Sequence, residues 1–94
     1  DAARGFDSLA VHAGQAFDPT TGAVIPPVHL STTYAQDGIR GLRGGYEYGR
    51  SGNPPRTALE TQIAALEGGV RALSFASGLA AEDALLRAAL APGD

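Results

Sequence analysis

At Asn53-Pro54 the sequence changes character, and that boundary constrains the fold more than any other feature. After it, helical and extended signals alternate as in an α/β protein. Asparagine is a favourable N-cap, and a proline at the first helical position gives up an N–H that would have no partner there anyway. Leu59, Ile63 and Leu66 then fall within about 60° of one another around a helix, and Gly68-Gly69 supplies the stop. Residues 70–75 read as a short strand, Ser77-Gly78 as a tight turn, and 79–91 as a second helix with Leu79, Leu86 and Leu90 on one side. Glu82 and Asp83 are expected in its first turns, where the helix dipole favours negative charge. Pro92-Gly93-Asp94 reads as a turn.

Residues 1–52 have no comparable periodicity. Asp18-Pro19-Thr20-Thr21-Gly22 is a turn, Pro26-Pro27 stiffens an extended stretch, and Gly38, Gly41, Gly44 and Gly45 loosen a loop. One helical turn from Ser8 to Ala13, stopped by Gly14, and a short extended piece over 28–34 are the local elements expected here. So long an irregular segment is unusual inside a compact domain and points to an arm lying against another surface.

Composition narrows the class. The 94 residues contain three Phe, three Tyr, no Trp and no Met, with thirteen Gly and six Pro, a poor supply for an independent core. The chain is therefore not expected to fold alone. A net charge of −3 lacks the basic stripe of a nucleic-acid binder. No apolar run is long enough for a membrane span. The absence of cysteine excludes disulfides and thiol catalysis within the chain and is compatible with a cytoplasmic setting. His12 and His29 are too few and too isolated to suggest a metal site.

Two segments could hold a phosphate. In Leu73-Ser74-Phe75-Ala76-Ser77-Gly78-Leu79-Ala80-Ala81, a glycine turn feeds a helix, whose free N–H groups and dipole suit an anion. In Tyr46-Glu47-Tyr48-Gly49-Arg50-Ser51-Gly52-Asn53-Pro54, an arginine fork and phenols stand on a glycine-spaced, proline-closed loop. Taken singly, the first is also how any α/β protein turns from strand to helix, and the second is also a surface arginine beside packed tyrosines. Their order and spacing together carry the signal.

In that combination the chain resembles the N-terminal part of the Cys/Met-metabolism family of pyridoxal phosphate (PLP) enzymes, and within it the cystathionine γ-synthases and γ-lyases. His12-Ala13-Gly14, Pro26-Pro27 leading to Ser31-Thr32-Thr33-Tyr34, and Pro92-Gly93-Asp94 match as well. The resemblance covers nearly the whole chain but only the opening portion of an enzyme several hundred residues long. Pro55 departs from the family's usual Asn-Pro-Thr, and Leu79 stands where many members have methionine.

The resemblance implies a type I, aspartate-aminotransferase-like α/β fold. Residues 1–52 would be an N-terminal arm contacting the neighbouring subunit, and 53–94 the start of the large PLP-binding domain. Tyr48 and Arg50 match arm residues that hold the cofactor phosphate of the adjacent subunit. Gly78 and Leu79 match a pair whose backbone amides hold the phosphate of their own subunit, with Ser77 beside them. Glu47 matches a position that can face the distal end of the substrate, although a solvated loop carboxylate fits it equally. Tyr34 and Tyr46 read as packing residues. Active sites would be shared in a homo-oligomer, usually a tetramer.

The implied reaction makes cystathionine from an activated homoserine ester and cysteine, or cleaves cystathionine. The catalytic lysine is absent, since all seven basic residues are arginine. No catalytic residue is therefore expected in this segment. The same motifs would serve an O-acyl-homoserine sulfhydrylase or a methionine γ-lyase. From a different class, a free-standing, non-catalytic anion-binding module remains the alternative.

Overall fold

The computed structural model describes residues 5–94; the first four residues of the expected arm lie outside the described residues. Three helices form: α1 (Phe6–His12), α2 (Pro54–Glu67) and α3 (Gly78–Ala89). Helix α1 begins two residues before the expected turn, with Gly5 at its N-cap and Asp7 in its first turn. It packs on α2. The Gln62 side-chain amide donates to the Ala10 carbonyl there. Gly14 follows α1 at a φ of 73°, so close to α2 that a Cβ would stand 2.5 Å from the Ala58 carbonyl oxygen.

Between α1 and α2 the chain is more ordered than its composition suggests. Gly22 N–H donates to the Asp18 carbonyl, and the Asp18 carboxylate accepts from the Thr21 backbone and hydroxyl. The hydroxyl of Thr21 holds that carboxyl below the usual carboxylate range. Farther on, antiparallel bridges join Thr33 to Tyr48 and Gln36 to Leu42. The expected extended piece thus has a partner, the segment that carries Tyr48.

Helix α2 has the expected limits, and Gly68 ends it in the left-handed conformation (φ 67°), its N–H returning to the last turn. Asn53 occupies the N-cap position, but its side chain does not cap. Its Oδ1 accepts from the Tyr34 hydroxyl and its Nδ2 donates to the His29 carbonyl at 2.9 Å. The expected cap has become a tie between the start of α2 and residues 29–34.

Two other expectations change. Residues 70–75 form no strand: Val70 lies at a bend, 71–75 have no regular structure, and no described segment is bridged to them to complete a ladder. Helix α3 begins at Gly78 and ends at Ala89, against the expected 79–91, with Ser77 as N-cap. Its first turn holds no acidic residue. Asp83 pairs instead with Arg87 one turn on, at 3.0 Å.

No described residue is buried, and the accessible surface is 7495 Å², against about 5,000 Å² for a compact monomer of 9.5 kDa. The radius of gyration is 16.2 Å, where a compact chain of this length has about 12 Å. Leu59 and Ile63 of α2 and Leu79, Leu86 and the C-cap Leu90 of α3 remain 44–76% exposed, and Leu30 (91% exposed) and Ile39 (98% exposed) are almost bare. Among the described residues, no helix is long and apolar enough to cross a membrane.

Candidate phosphate-binding site

The loop 46–52 is held by backbone geometry. Gly49 N–H donates to the Thr32 carbonyl at 2.6 Å, and the Tyr48 carbonyl accepts from the backbone N–H of Ser51 and of Gly52 and from the Ser51 hydroxyl. The two chain segments meet so closely at Gly49 that a Cβ there would lie 2.8 Å from the Ser31 carbonyl oxygen. Tyr46 anchors the loop to α2 by donating to the Thr57 hydroxyl at 2.9 Å, and its ring packs on Tyr34 with centroids 5.7 Å apart. The two tyrosines pack together as expected.

From this platform the Arg50 guanidinium lies over the Tyr48 ring, 5.1 Å from its centroid. That stacking orients the fork without consuming its N–H donors. Both residues line an open concavity of about 360 Å³ that includes Ser31, Thr32 and Asn53. Glu47, at a bend just before Tyr48, does not line that concavity. It lines a separate concavity with Gln36, Ile39, Arg40 and Leu42. The structure therefore brings Tyr48 and Arg50 together and leaves Glu47 apart from them.

At the start of α3, Ser77 accepts the Ala80 N–H on its hydroxyl at 3.1 Å and the Ala81 N–H on its carbonyl at 3.2 Å. The N–H groups of Gly78 and Leu79 have no acceptor among the described residues. The Ser77 hydroxyl proton is likewise free to donate. A Cβ at Gly78 would meet nothing within 4 Å, so an incoming group has room against the backbone. Two parallel amides, a hydroxyl and the positive end of a 12-residue helix suit a phosphate dianion.

Among the described residues, no hydrogen bond or ion pair links loop 46–52 to the turn 77–79. The two halves are each anchored to α2 instead. Loop 46–52 is held through Asn53 and Thr57, as above. The other half is held through Ser74, which sequence reasoning missed. Its N–H and hydroxyl both donate to one Glu60 carboxylate oxygen, at 2.6 and 3.0 Å. Arg56 donates to the same hydroxyl at 3.0 Å and to the Ser74 carbonyl at 3.1 Å. The Ser74 N–H holds the Glu60 carboxyl below its usual range, against partial desolvation. Only the Arg56–Glu60 spacing of four residues could have signalled this cluster.

The family model described as Cys/Met metabolism PLP-dependent enzyme matches residues 7–94, nearly all of the chain. The chain belongs to the Cys/Met metabolism PLP-dependent enzyme family. Within this family it is 59% identical over 85 residues to the cystathionine γ-synthase of Mycobacterium tuberculosis, covering 90% of this chain and 22% of that protein. It is 53% identical over 79 residues to human cystathionine γ-lyase, covering 81% and 19%. The solved structure of metB from Corynebacterium glutamicum superimposes with a TM-score of 0.93 at 46% identity, covering 99% of this chain and 24% of that one. The chain thus spans about a fifth of the length of these relatives. The likeness agrees with the type I PLP fold, with the described residues contributing helices and no strands to it.

Proposed function

We propose that this chain is the N-terminal part of a transsulfuration enzyme that makes cystathionine from an activated homoserine ester and cysteine, or cleaves it. Residues 1–52 form the arm that reaches a neighbouring subunit, and 53–94 open the cofactor-binding domain. The observation that carries this reading is the unpartnered amide pair of Gly78 and Leu79 on a Ser77-capped helix. It occurs in a chain whose family depends on a phosphorylated cofactor.

In this proposal the amides of Gly78 and Leu79 and the hydroxyl of Ser77 receive the cofactor phosphate in their own subunit. Tyr48 and Arg50 close on the phosphate of the subunit next door. The phenol adds a neutral donor and the guanidinium a planar fork that spreads charge over two oxygens. Glu47 faces a different concavity from that pair, which suits a role toward the distal end of an amino-acid substrate better than one toward phosphate. When bound, the cofactor supplies an electron sink that eases loss of protons from the substrate carbons and departure of the γ-substituent. The proton-moving lysine comes from outside these residues, for the chain has none. Shared sites require at least a dimer, and a tetramer of two dimers in a cytoplasmic enzyme completes the proposal. The exposed arm residues Leu30 and Ile39 and the lack of any link between loop 46–52 and turn 77–79 support an arm that works away from its own domain.

Subunit mixing tests this reading in the full-length protein. Arg50→Ala and Gly78→Pro subunits each bind the cofactor weakly when expressed alone. In co-expressed oligomers with random pairing, roughly a quarter of the sites regain both halves, because in a mixed pair both defects fall on one site and leave the other intact. Recovery of that fraction of tight cofactor sites is expected. No recovery would mean that both halves serve one site within a single chain.

A further inference from the structure

Ser74 is the single point at which residues 70–94 are hydrogen-bonded to the rest of the described chain. Helix α3 does not pack on α1 or α2. Residues 70–75 have no ladder, and Leu73 and Phe75 are half exposed, so apolar burial within these residues does not fix the segment either. What fixes it is polar. Each hydrogen-bonding group of Ser74, its N–H, its carbonyl and its hydroxyl, is taken by Arg56 or Glu60.

An exposed Arg–Glu pair one helical turn apart contributes little by itself. Here the pair stands 3.4 Å apart with Glu60 only 20% exposed, and the serine threaded between the two makes four charge-assisted bonds. Ser77 follows three residues later. The unpartnered amides of Gly78 and Leu79 therefore sit at the end of a tether no more than about 18 Å long. Wherever the clamp holds Ser74, the amide pair must point from there.

We infer that Arg56, Glu60 and Ser74 are positioning residues for the cofactor phosphate, aiming the Gly78 and Leu79 amides without touching the phosphate themselves. This rests on the proposal above that those amides receive it. The clamp is a specific one: glutamine at position 60 keeps the size but loses the charge that accepts two donors on one oxygen, and lysine at position 56 loses the fork that reaches both the hydroxyl and the carbonyl.

The test compares PLP with pyridoxal, which lacks the phosphate, by titrating the full-length apoenzyme and following the absorbance of the bound ligand. Glu60→Gln, Ser74→Ala and Arg56→Lys are each expected to weaken PLP by about tenfold while pyridoxal affinity stays unchanged, so that the affinity ratio collapses. Ser74→Ala removes only a hydroxyl and serves if the charge variants do not fold. A parallel loss of both affinities, or an unchanged ratio, would overturn the positioning role. Gly78→Pro separates the two claims. If it collapses the ratio while the clamp variants do not, the clamp inference fails and the phosphate reading stands. If it too leaves the ratio unchanged, the phosphate reading fails and the inference falls with it.

Discussion

Replacing Gly78 by proline removes one N–H from the candidate phosphate cradle and almost nothing else. Gly78 is the first residue of α3, where proline is tolerated because the amide has no intrahelical acceptor. Ser77 already has the extended backbone that must precede a proline, with φ −150° and ψ 157°. The space around Gly78 is open to 4 Å. Ser77 keeps its cap to Ala80. Stability of the apoprotein should therefore be unchanged or raised by up to about 1 kcal/mol, through the stiffer unfolded chain. A hydrogen bond to a charged acceptor contributes about 1.5–3 kcal/mol, so the Kd for PLP should rise roughly tenfold to 150-fold. Gly78→Ala keeps the N–H and should bind normally. The assay is titration of full-length apoenzyme with PLP, alongside thermal melts of both variants. A folded Gly78→Pro protein with wild-type PLP affinity would refute the assignment of that amide.

The arm half makes its own demands. Arg50→Ala should weaken PLP by about 2 kcal/mol, roughly 30-fold, and Arg50→Lys should recover only part of this, since lysine lacks the planar fork and its stacking over Tyr48; equal affinities for lysine and arginine enzymes in the same titration would argue against a forked contact. Gly49→Ala should destabilise the loop by about 1–3 kcal/mol, because its Cβ meets the Ser31 carbonyl oxygen at 2.8 Å; an unaltered unfolding midpoint would show that the loop yields freely. Glu60 contributes a pH dependence whose sign is fixed by its lowered folded pKa. Its contribution is complete above the usual value of 4.5 and is lost as pH falls through the lower folded value. Unfolding of wild type and Glu60→Gln compared from neutral pH downward should show their difference shrinking below that point, and a difference that grows on acidification would contradict the arrangement.

What could be read from residues alone was what depends on near neighbours. Helix α2 was legible because Asn53-Pro54, the Leu59–Ile63–Leu66 stripe and Gly68-Gly69 all lie within one short stretch. That Tyr48 and Arg50 would come together was legible for the same reason, since they stand on one glycine-spaced loop. The strand over 70–75 failed because a strand is completed by a partner, and nothing in those six residues says where the partner lies. The pairing of Thr33 with Tyr48 was hidden likewise by the loop between them. Asn53 shows the limit most clearly. A local rule assigns its side chain to the helix N-terminus, yet Tyr34 and the His29 carbonyl, 19 and 24 positions away, offer it two bonds and win. Ser74 could not be found at all by local rules, since its significance comes from Arg56 and Glu60 one helix earlier.

Helix α2 thus carries both halves of the proposed phosphate grip on adjacent stripes. Asn53 and Thr57 hold the arm, while Arg56 and Glu60 hold the segment leading to α3. At 100° per residue these stripes are about 60° apart, and Asn53 and Glu60 are separated by about 10 Å along the axis. Sites so spaced, with no shared partner, perturb a protein independently. Asn53→Ala should weaken PLP by about 1 kcal/mol through the arm alone, because its side chain makes no cap to lose. Glu60→Gln should do so through the amide pair alone. In the homo-oligomer of the double variant every site carries both defects, and the two losses should add to within about 0.5 kcal/mol. In mixed oligomers the Asn53 defect should appear in the partner's site and the Glu60 defect at home. A coupling energy above about 1 kcal/mol would mean that the start of α2 shifts as one body when either tie is cut. The helix would then be a lever joining two neighbouring sites, and the picture of two independent anchors would have to be abandoned.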